Sequence, residues 1–548
     1  MSGTCHVDTF VLDNMPPADL MPDFINLDRL GYPEALNATV ELVDRHVAEG
    51  RGDRVALLAP GGIRWTYGEL ARTIDRMANV LTRTLGLVPG NRVLLRSANN
   101  PTKVALYMAI IKAGGIVVAT MPLLRARELV QVLDKAKIGL ALCDASLVEE
   151  MEKAVAGAVA PARIVTWTGT AGGELGALLE GAPDHFHAPA TRAEDPCLLG
   201  FTSGTTGMPK ATIHTHRDLL VICDCYAREV LQATEDDIFI GSPPLAFTFG
   251  LGGLVLFPFR VGASAVLLER AGPPDLAKAI GEYRATISFT APTAYRAILA
   301  KRADYDLSSL RKCVSAGETL PKPTFDAWLE ATGIKLMDGI GATEMLHIFI
   351  AACEDDIRPG ATGKPVPGYE AKIVDANGAD LPRGTPGRLA VRGPIGCRYL
   401  ADERQKAYVE KGWNITGDTY AEDEDGYFWF QARNDDMIVS AGYNIAGPEV
   451  EAALLAHPSV LEAGVVGAPD ADRGRIVKAY VVLSEGHTAS PELAKALQEH
   501  VKRELAPYKY PRSVVFVDAL PKTESGKLQR FALRRQAEAD AAKEGENV

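Results

Sequence analysis

Between Thr202 and Lys210 the chain packs four hydroxyl residues, two glycines and one lysine into nine positions, directly after the apolar run 197–201. Glycines let a backbone turn tightly and bring its N–H groups up to an anion. The hydroxyls of Thr202, Ser203, Thr205 and Thr206 can donate to phosphate oxygens, and Lys210 can balance their charge. This is the composition of a loop that holds a polyphosphate between Gly204 and Gly207. It is not a Walker loop, which requires G-x-x-x-x-G-K-[ST]. Here Lys210 follows Gly207 by three positions, Pro209 intervenes, and Ala211 stands where that motif has a magnesium-binding hydroxyl. Taken alone, the stretch fits a flexible Ser/Thr/Gly linker equally well.

Its companions decide between the two. In order along the chain follow residues 314–321 (VSAGETLP), 338–344 (DGIGATE), 413–418 (WNITGD), 432–442 (ARNDDMIVSAG) and 521–528 (PKTESGKL). Upstream lie 65–70 (WTYGEL) and 112–115 (KAGG). The ordered set resembles the core motifs of the adenylate-forming superfamily of acyl-CoA synthetases, peptide-synthetase adenylation domains and luciferases, over nearly the whole length.

That resemblance implies a two-step reaction. A carboxylate is a poor electrophile, so AMP is first transferred to it from ATP and then displaced by the thiol of coenzyme A. Glu344 is then the partner of Mg2+, a hard cation that takes one or two carboxylates, and Thr343 meets the α-phosphate or supports the metal. Asp418 accepts from the ribose hydroxyls, with Arg433 at the ribose or at the hinge. Gly317, Glu318, Thr319, Asp338, Gly339 and Ile340 surround the adenine. Many relatives carry an aromatic residue where this chain has Ile340, which offers apolar contact without a π-face. Lys527 supplies the cation of the first step, its flexible stem reaching the carboxylate and the α-phosphate. For the second step the small domain turns about Asp435, withdraws Lys527 and presents Ser440, Ala441 and Gly442 beside a pantetheine tunnel. Two departures at the hinge motif are Ala432 for a common glycine and Val439 where many relatives have lysine. His214 and His216 are read as structural helix-start residues.

Residues 245–252 (LAFTFGLG) and 339–349 (GIGATEMLHIF) resemble the benzoate-CoA ligase branch, including 2-aminobenzoate-CoA ligases. On that resemblance Thr248, Phe249, Ala316, Gly341, His347 and Ile348 line the acyl pocket. A flat ring suits apolar walls, an aromatic partner and small residues that leave a slot. The Thr248 hydroxyl fits an ortho amino or hydroxyl group. His347 either closes the far end or bonds a ring substituent, against the alternative of a core histidine capped by backbone. A medium-chain or other carboxylic acid, or a carrier protein in place of coenzyme A, are the competing readings.

These residues need a scaffold. Short apolar runs at 92–95, 115–119, 139–143 and 265–268 alternate with helical stretches at 102–112 and 126–135, which predicts α/β layers with parallel-type sheets. From about 366 to 434 short turn-bounded runs predict a small β-subdomain. Beyond it a mobile α+β lid is expected, giving a large AMP-binding domain over 1–434 and a small one over 435–548. At 548 residues the chain is long enough for several folding units.

Bulk properties exclude other classes. The net charge of −12 argues against nucleic-acid binding, and eight irregularly spaced cysteines are no disulfide framework. The acidic N-terminal stretch is unlike a signal peptide, and no apolar run reaches membrane-span length. A cytoplasmic enzyme of small aromatic acid, ATP and coenzyme A is expected, with a homodimer left open.

Overall fold

The computed structural model describes residues 3–170, 172–202, 209–433, 436–440, 443–470, 474–505, 507–522 and 527–545. Two large sheets form the body. The first has six strands in the order Arg163–Trp167, Leu140–Asp144, Arg92–Arg96, Ile116–Thr120, Pro196–Thr202, Lys210–Thr215, parallel except for the last, which returns as a hairpin. The second has nine, with a parallel centre running through Ser264–Val266, Ile238–Gly241, Ile287–Thr290, Lys312–Ala316 and Leu336–Gly341, and antiparallel strands at both edges.

Central parallel strands are covered on both faces and so are buried throughout. Every residue of Arg92–Arg96 and of Ile116–Thr120 is buried. Helix Pro101–Lys112 lies between the two sheets and is buried along its whole length. Asn100 caps it by accepting from the Lys103 backbone N–H, and Pro101 opens its first turn. Its two lysines need internal partners. Lys112 bridges Asp44 and Asp75, while Lys103 Nζ donates to the Ser97 carbonyl at 2.7 Å.

A third, antiparallel sheet joins Glu370–Val374, Gly387–Arg392, Trp413–Glu422, Val409–Glu410 and Phe428–Arg433. Past it the texture changes to α+β: the hairpin Ile438–Ser440/Tyr443–Ile445, then a three-stranded sheet of Val460–Asp470, Gly474–Leu483 and Ser513–Phe516, with helices Gly447–Leu455, Pro491–Glu504 and Arg530–Gly545. This last part has a core of its own around Ile438, Val450, Leu454, Val465, Val477 and Leu497. The α/β fold class with a smaller α+β C-terminal part is as the sequence predicts. One run is displaced: the strand expected at 265–268 is Ser264–Val266, and Leu267 continues only as a hydrogen bond to the Leu58 carbonyl.

Among the described residues no helix is long and apolar enough to cross a membrane. The stretch 250–268, the most apolar of the chain, folds as helical turns over 248–261 followed by a strand inside the body.

Candidate active site

The candidate phosphate end is built on one hairpin. Strands Pro196–Thr202 and Lys210–Thr215 pair in antiparallel register with Thr202 opposite Lys210. Ser203, Gly204, Thr205, Thr206 and Gly207 lie outside the described residues. Residues 398–400 run along the far side of this hairpin, held by Ile213 N–H to the Arg398 carbonyl at 2.7 Å and Leu400 N–H to the Ala211 carbonyl at 2.9 Å. That pairing delivers Tyr399 to Lys210. Lys210 Nζ is 3.1 Å from the Tyr399 hydroxyl and 4.9 Å from its ring centroid. The hydroxyl in turn donates to Glu344 Oε1 in a short contact. Burial and the neighbouring Glu344 carboxylate push the phenol well above its ordinary range, so it remains a donor. Lys210, Tyr399 and Glu344 thus form one chain of contacts. No local motif marks Tyr399, and the sequence reading misses it.

Thr343 and Glu344 sit on a short 3-10 turn, Thr343–Met345. His214 fixes its start, with Nε2–H donating to the Thr343 carbonyl at 2.7 Å. The other ring nitrogen is 3.7 Å from Asp218 Oδ2, and Arg398 Nη1 donates to that same oxygen at 2.8 Å. Burial alone would raise the Asp218 carboxyl, but Arg398 and His214 overturn this and hold it far below the usual carboxylate range. His214 is therefore not a helix-start residue as expected: helix His216–Ile222 begins two positions later, and His214 is a strand residue that pins the turn. His216 does open the helix, and its Nδ1 accepts from the Ala38 backbone N–H at 3.1 Å. Gly200 permits the approach, since a Cβ there would stand 2.7 Å from Thr343 Cγ2.

The turn ends in strain. Leu346 is fully buried with φ +66 and ψ −33, a region that branched side chains avoid. This reversal separates Glu344, facing Tyr399, from His347, facing an aromatic cluster. The Glu344 carboxylate and Thr343 hydroxyl are hard oxygen donors side by side, a set that suits Mg2+.

At the candidate adenine end, strands Lys312–Ala316 and Leu336–Gly341 run parallel, with Ser315 opposite Asp338 and Ala316 opposite Gly339. The residues just past their carboxyl ends are where open α/β sheets bind ligands. Gly317 takes φ +88 there, followed by half-buried Glu318 and exposed Thr319. Asp338 Oδ1 is buried with no hydrogen-bond partner among the described residues, and burial pushes its carboxyl up to about 7 against a hydrogen bond from the Gly339 backbone. Ile340 packs on the main core, opposite Ile350. Asp418 follows Gly417, at φ +82, and lies in register opposite Arg433 on the third sheet.

Lys527 comes from the far end of the chain. Its Cε lies 3.3 Å and its Nζ 3.7 Å from where a Cβ on Gly317 would be, so the end of this side chain packs over the glycine. Burial raises the Glu318 carboxyl, against the lowering pull of Thr293, Lys527 and Arg296. Asp435, Ala441 and Gly442 lie outside the described residues. Ser440 is buried and ends the strand Ile438–Ser440, opposite Tyr443.

The acyl-pocket candidates converge on His347. Its ring centroid is 4.5 Å from Phe257, 5.7 Å from Phe249 and 6.4 Å from Phe289. Glycines let the walls close up. A Cβ on Gly252 would stand 2.4 Å from His347 Cδ2, one on Gly253 2.7 Å from the Phe289 ring, and one on Gly339 2.9 Å from Ile348. Gly341 backs directly onto the His347 carbonyl, where a Cβ would come within 2.8 Å. Ala316 and Ile348 are buried, whereas Thr248 and Phe249 are half-buried at the start of helix Thr248–Leu251. Phe257 and Phe289 were not anticipated, because each sits in an apolar run with no feature to separate it from core.

Comparison with known proteins agrees with this architecture. The AMP-binding enzyme family matches residues 44–399, and the AMP-binding enzyme C-terminal domain matches 449–527. The chain therefore belongs to the adenylate-forming superfamily of AMP-binding enzymes. Within it, the chain is an AMP-forming acid–CoA ligase. It is similar to the benzoate–CoA ligase of Thauera aromatica, with 37% identity over 95% of this chain and 98% of that one. Among solved structures, an anthranilate CoA ligase in complex with anthranoyl-AMP superposes with a TM-score of 0.89 at 35% identity, covering 93% of this chain and 99% of that one. A benzoate CoA ligase from Burkholderia xenovorans LB400 superposes at 0.84 with 33% identity, covering 91% and 100%.

Proposed function

We propose that the acid is a small aromatic carboxylate, benzoate or a substituted benzoate such as 2-aminobenzoate, converted through its acyl-adenylate to the aryl-CoA thioester. The feature that supports this is the aromatic cluster of Phe249, Phe257, Phe289 and His347, with Ile348, Ala316 and Gly341 beside it. Flat apolar walls and small edge residues suit a ring better than a flexible chain. Similarity to benzoate and anthranilate ligases points the same way.

In this reading the residues divide the work. Thr202, Lys210 and the hydroxyl-glycine loop balance the triphosphate, with Lys210 steadied by Tyr399. Glu344 and Thr343 would hold Mg2+, which supplies charge neutralisation between phosphates when bound. The orphaned oxygen of Asp338 accepts from the exocyclic amine of adenine, Asp418 accepts from the ribose, and Arg433 stands opposite it. Lys527, lying over Gly317, stabilises charge on the carboxylate and α-phosphate as the mixed anhydride forms. A body of residues 1–434 and a lid of 435–548 then turn about Asp435, bringing Ser440, Ala441 and Gly442 to the thiol of coenzyme A.

A substrate panel tests the reading: pyrophosphate release and thiol consumption with benzoate, 2-aminobenzoate, hydroxybenzoates, phenylacetate and octanoate. Fastest turnover on octanoate rejects the aromatic slot, and transfer to a carrier protein in preference to coenzyme A rejects the thioester step.

A further inference from the structure

The two-step reaction leaves two buried polar atoms of the aromatic cluster without a task. Tyr226 lies on the π-helical turn Cys223–Arg228, a geometry often found at functional sites. Its side chain is fully buried, and its hydroxyl has no hydrogen-bond partner among the described residues. Its ring centroid is 5.6 Å from Phe257 and 5.6 Å from His347, so it belongs to the same aromatic cluster. His347 is also buried, and its Nδ1 is unpartnered. The other nitrogen, Nε2, faces the Phe249 carbonyl at 3.4 Å. A carbonyl only accepts, so the ring proton belongs on Nε2 and Nδ1 keeps a lone pair. Burial depresses the imidazole to about 3 and leaves it neutral, while it raises the Tyr226 phenol and leaves it protonated. The cluster therefore offers one acceptor and one hydroxyl that can both donate and accept.

Buried polar atoms are ordinarily paired, and leaving two unpaired in one apolar cluster costs stability. We propose that Tyr226 is a specificity-determining residue which, with Nδ1 of His347, reads a hydrogen-bonding substituent, amino or hydroxyl, on the ring of the acid. The proposal rests on the aromatic-acid reading above and deepens it. A ring amino group donates to Nδ1 of His347 and to the Tyr226 oxygen. A ring hydroxyl donates to Nδ1 and accepts from the Tyr226 O–H. An unsubstituted ring leaves both protein atoms unpaired, and a site built to hydrogen-bond a substituent discriminates strongly against the analogue that lacks it.

The test is Tyr226→Phe, which removes one oxygen and keeps the ring. We would measure kcat/KM for the 2-, 3- and 4-isomers of amino- and hydroxybenzoate, each divided by the value for benzoate, together with Tm of the ligand-free protein. In the natural protein at least one isomer is expected to exceed benzoate by about tenfold or more, and Tyr226→Phe is expected to reduce that ratio by about tenfold. Benzoate itself should change by no more than about twofold, and Tm should not fall, since the lost hydroxyl had no partner. A ratio equal in both proteins overturns the proposal, as does a uniform loss on every acid with a lowered Tm, the mark of a structural tyrosine. Turnover of aromatic acids with an unmoved ratio refutes the reader alone. Failure to turn over any aromatic acid refutes the substrate reading beneath it.

Discussion

Tyr399 shows how a single hydroxyl can set the distance between two charges. It accepts from Lys210 and donates to Glu344, so the ammonium and the carboxylate are linked without neutralising each other directly. Tyr399→Phe keeps the ring under Lys210 but frees Glu344 from its donor. Acid-dependent pyrophosphate release should fall by about tenfold in kcat/KM for ATP, the worth of one charge-assisted hydrogen bond of ~1.5 kcal/mol, and Tm should fall as well, because the buried Glu344 carboxylate loses its donor. Asp338 gives a pH dependence. Its carboxyl titrates near 7, so above that pH it is an acceptor and below it carries a proton. KM for ATP should rise as pH falls from about 8 to about 6, and Asp338→Asn, which keeps a carbonyl acceptor at every pH, should remove this component. Stability moves the opposite way. The folded carboxyl lies above its ordinary 3.8, so its contribution is fully present below 3.8 and is lost as pH rises through about 7. Ligand-free Asp338→Asn should therefore lose less stability than the natural protein across that interval, as chemical denaturation at pH 5 and pH 8 would show.

At the scale of elements, the strands and helices that carry the site were legible because their patterns are local. Strand Arg92–Arg96 and helix Pro101–Lys112 announce themselves as an apolar run and a capped, proline-started segment. The contacts that aim the candidate catalytic side chains are not local. Tyr399 meets Glu344 only because residues 398–400 add to the hairpin edge, and His214 meets Thr343 only because Gly200 leaves room. Nothing in the spelling around Tyr226, Phe257 or Phe289 separates a pocket wall from ordinary core, since burial of apolar surface stabilises both. Gly252 lies within the helical segment Gly252–Leu256, where glycine is otherwise unfavourable, and its bare Cα receives the His347 ring. Gly252→Ala inserts a methyl 2.4 Å from His347 Cδ2, and overpacking of this kind typically costs about 1–3 kcal/mol. Isothermal titration should show weakened binding of the aromatic acid by about tenfold or more, while binding of ATP, which the proposed site puts on the other side of the Thr343–Met345 turn, changes little.

For the molecule as a whole, the placement of Lys527 over Gly317 means that the described arrangement serves only one half of the proposed reaction. In the proposed mechanism a lysine that reaches the α-phosphate also stands where the thiol would approach, so that reading requires different placements of the C-terminal part in the two steps. The joint between them is short. Strand Phe428–Arg433 ends the third sheet, and Asp436, just beyond, is already tied to Arg534 of the last helix. Little chain lies between these anchors to absorb a rotation, and Asp435 sits within it. A proline at that position fixes φ near −65° and restricts the residue before it. Asp435→Pro should therefore leave acid-dependent AMP-ester formation within about threefold while slowing thioester formation by about a hundredfold, a block of ~2.7 kcal/mol on the second step alone. Single-turnover measurements with labelled ATP, followed by addition of coenzyme A, separate the two. Equal loss of both steps would place the pivot elsewhere, and unimpaired thioester formation would mean that the lid need not turn at all.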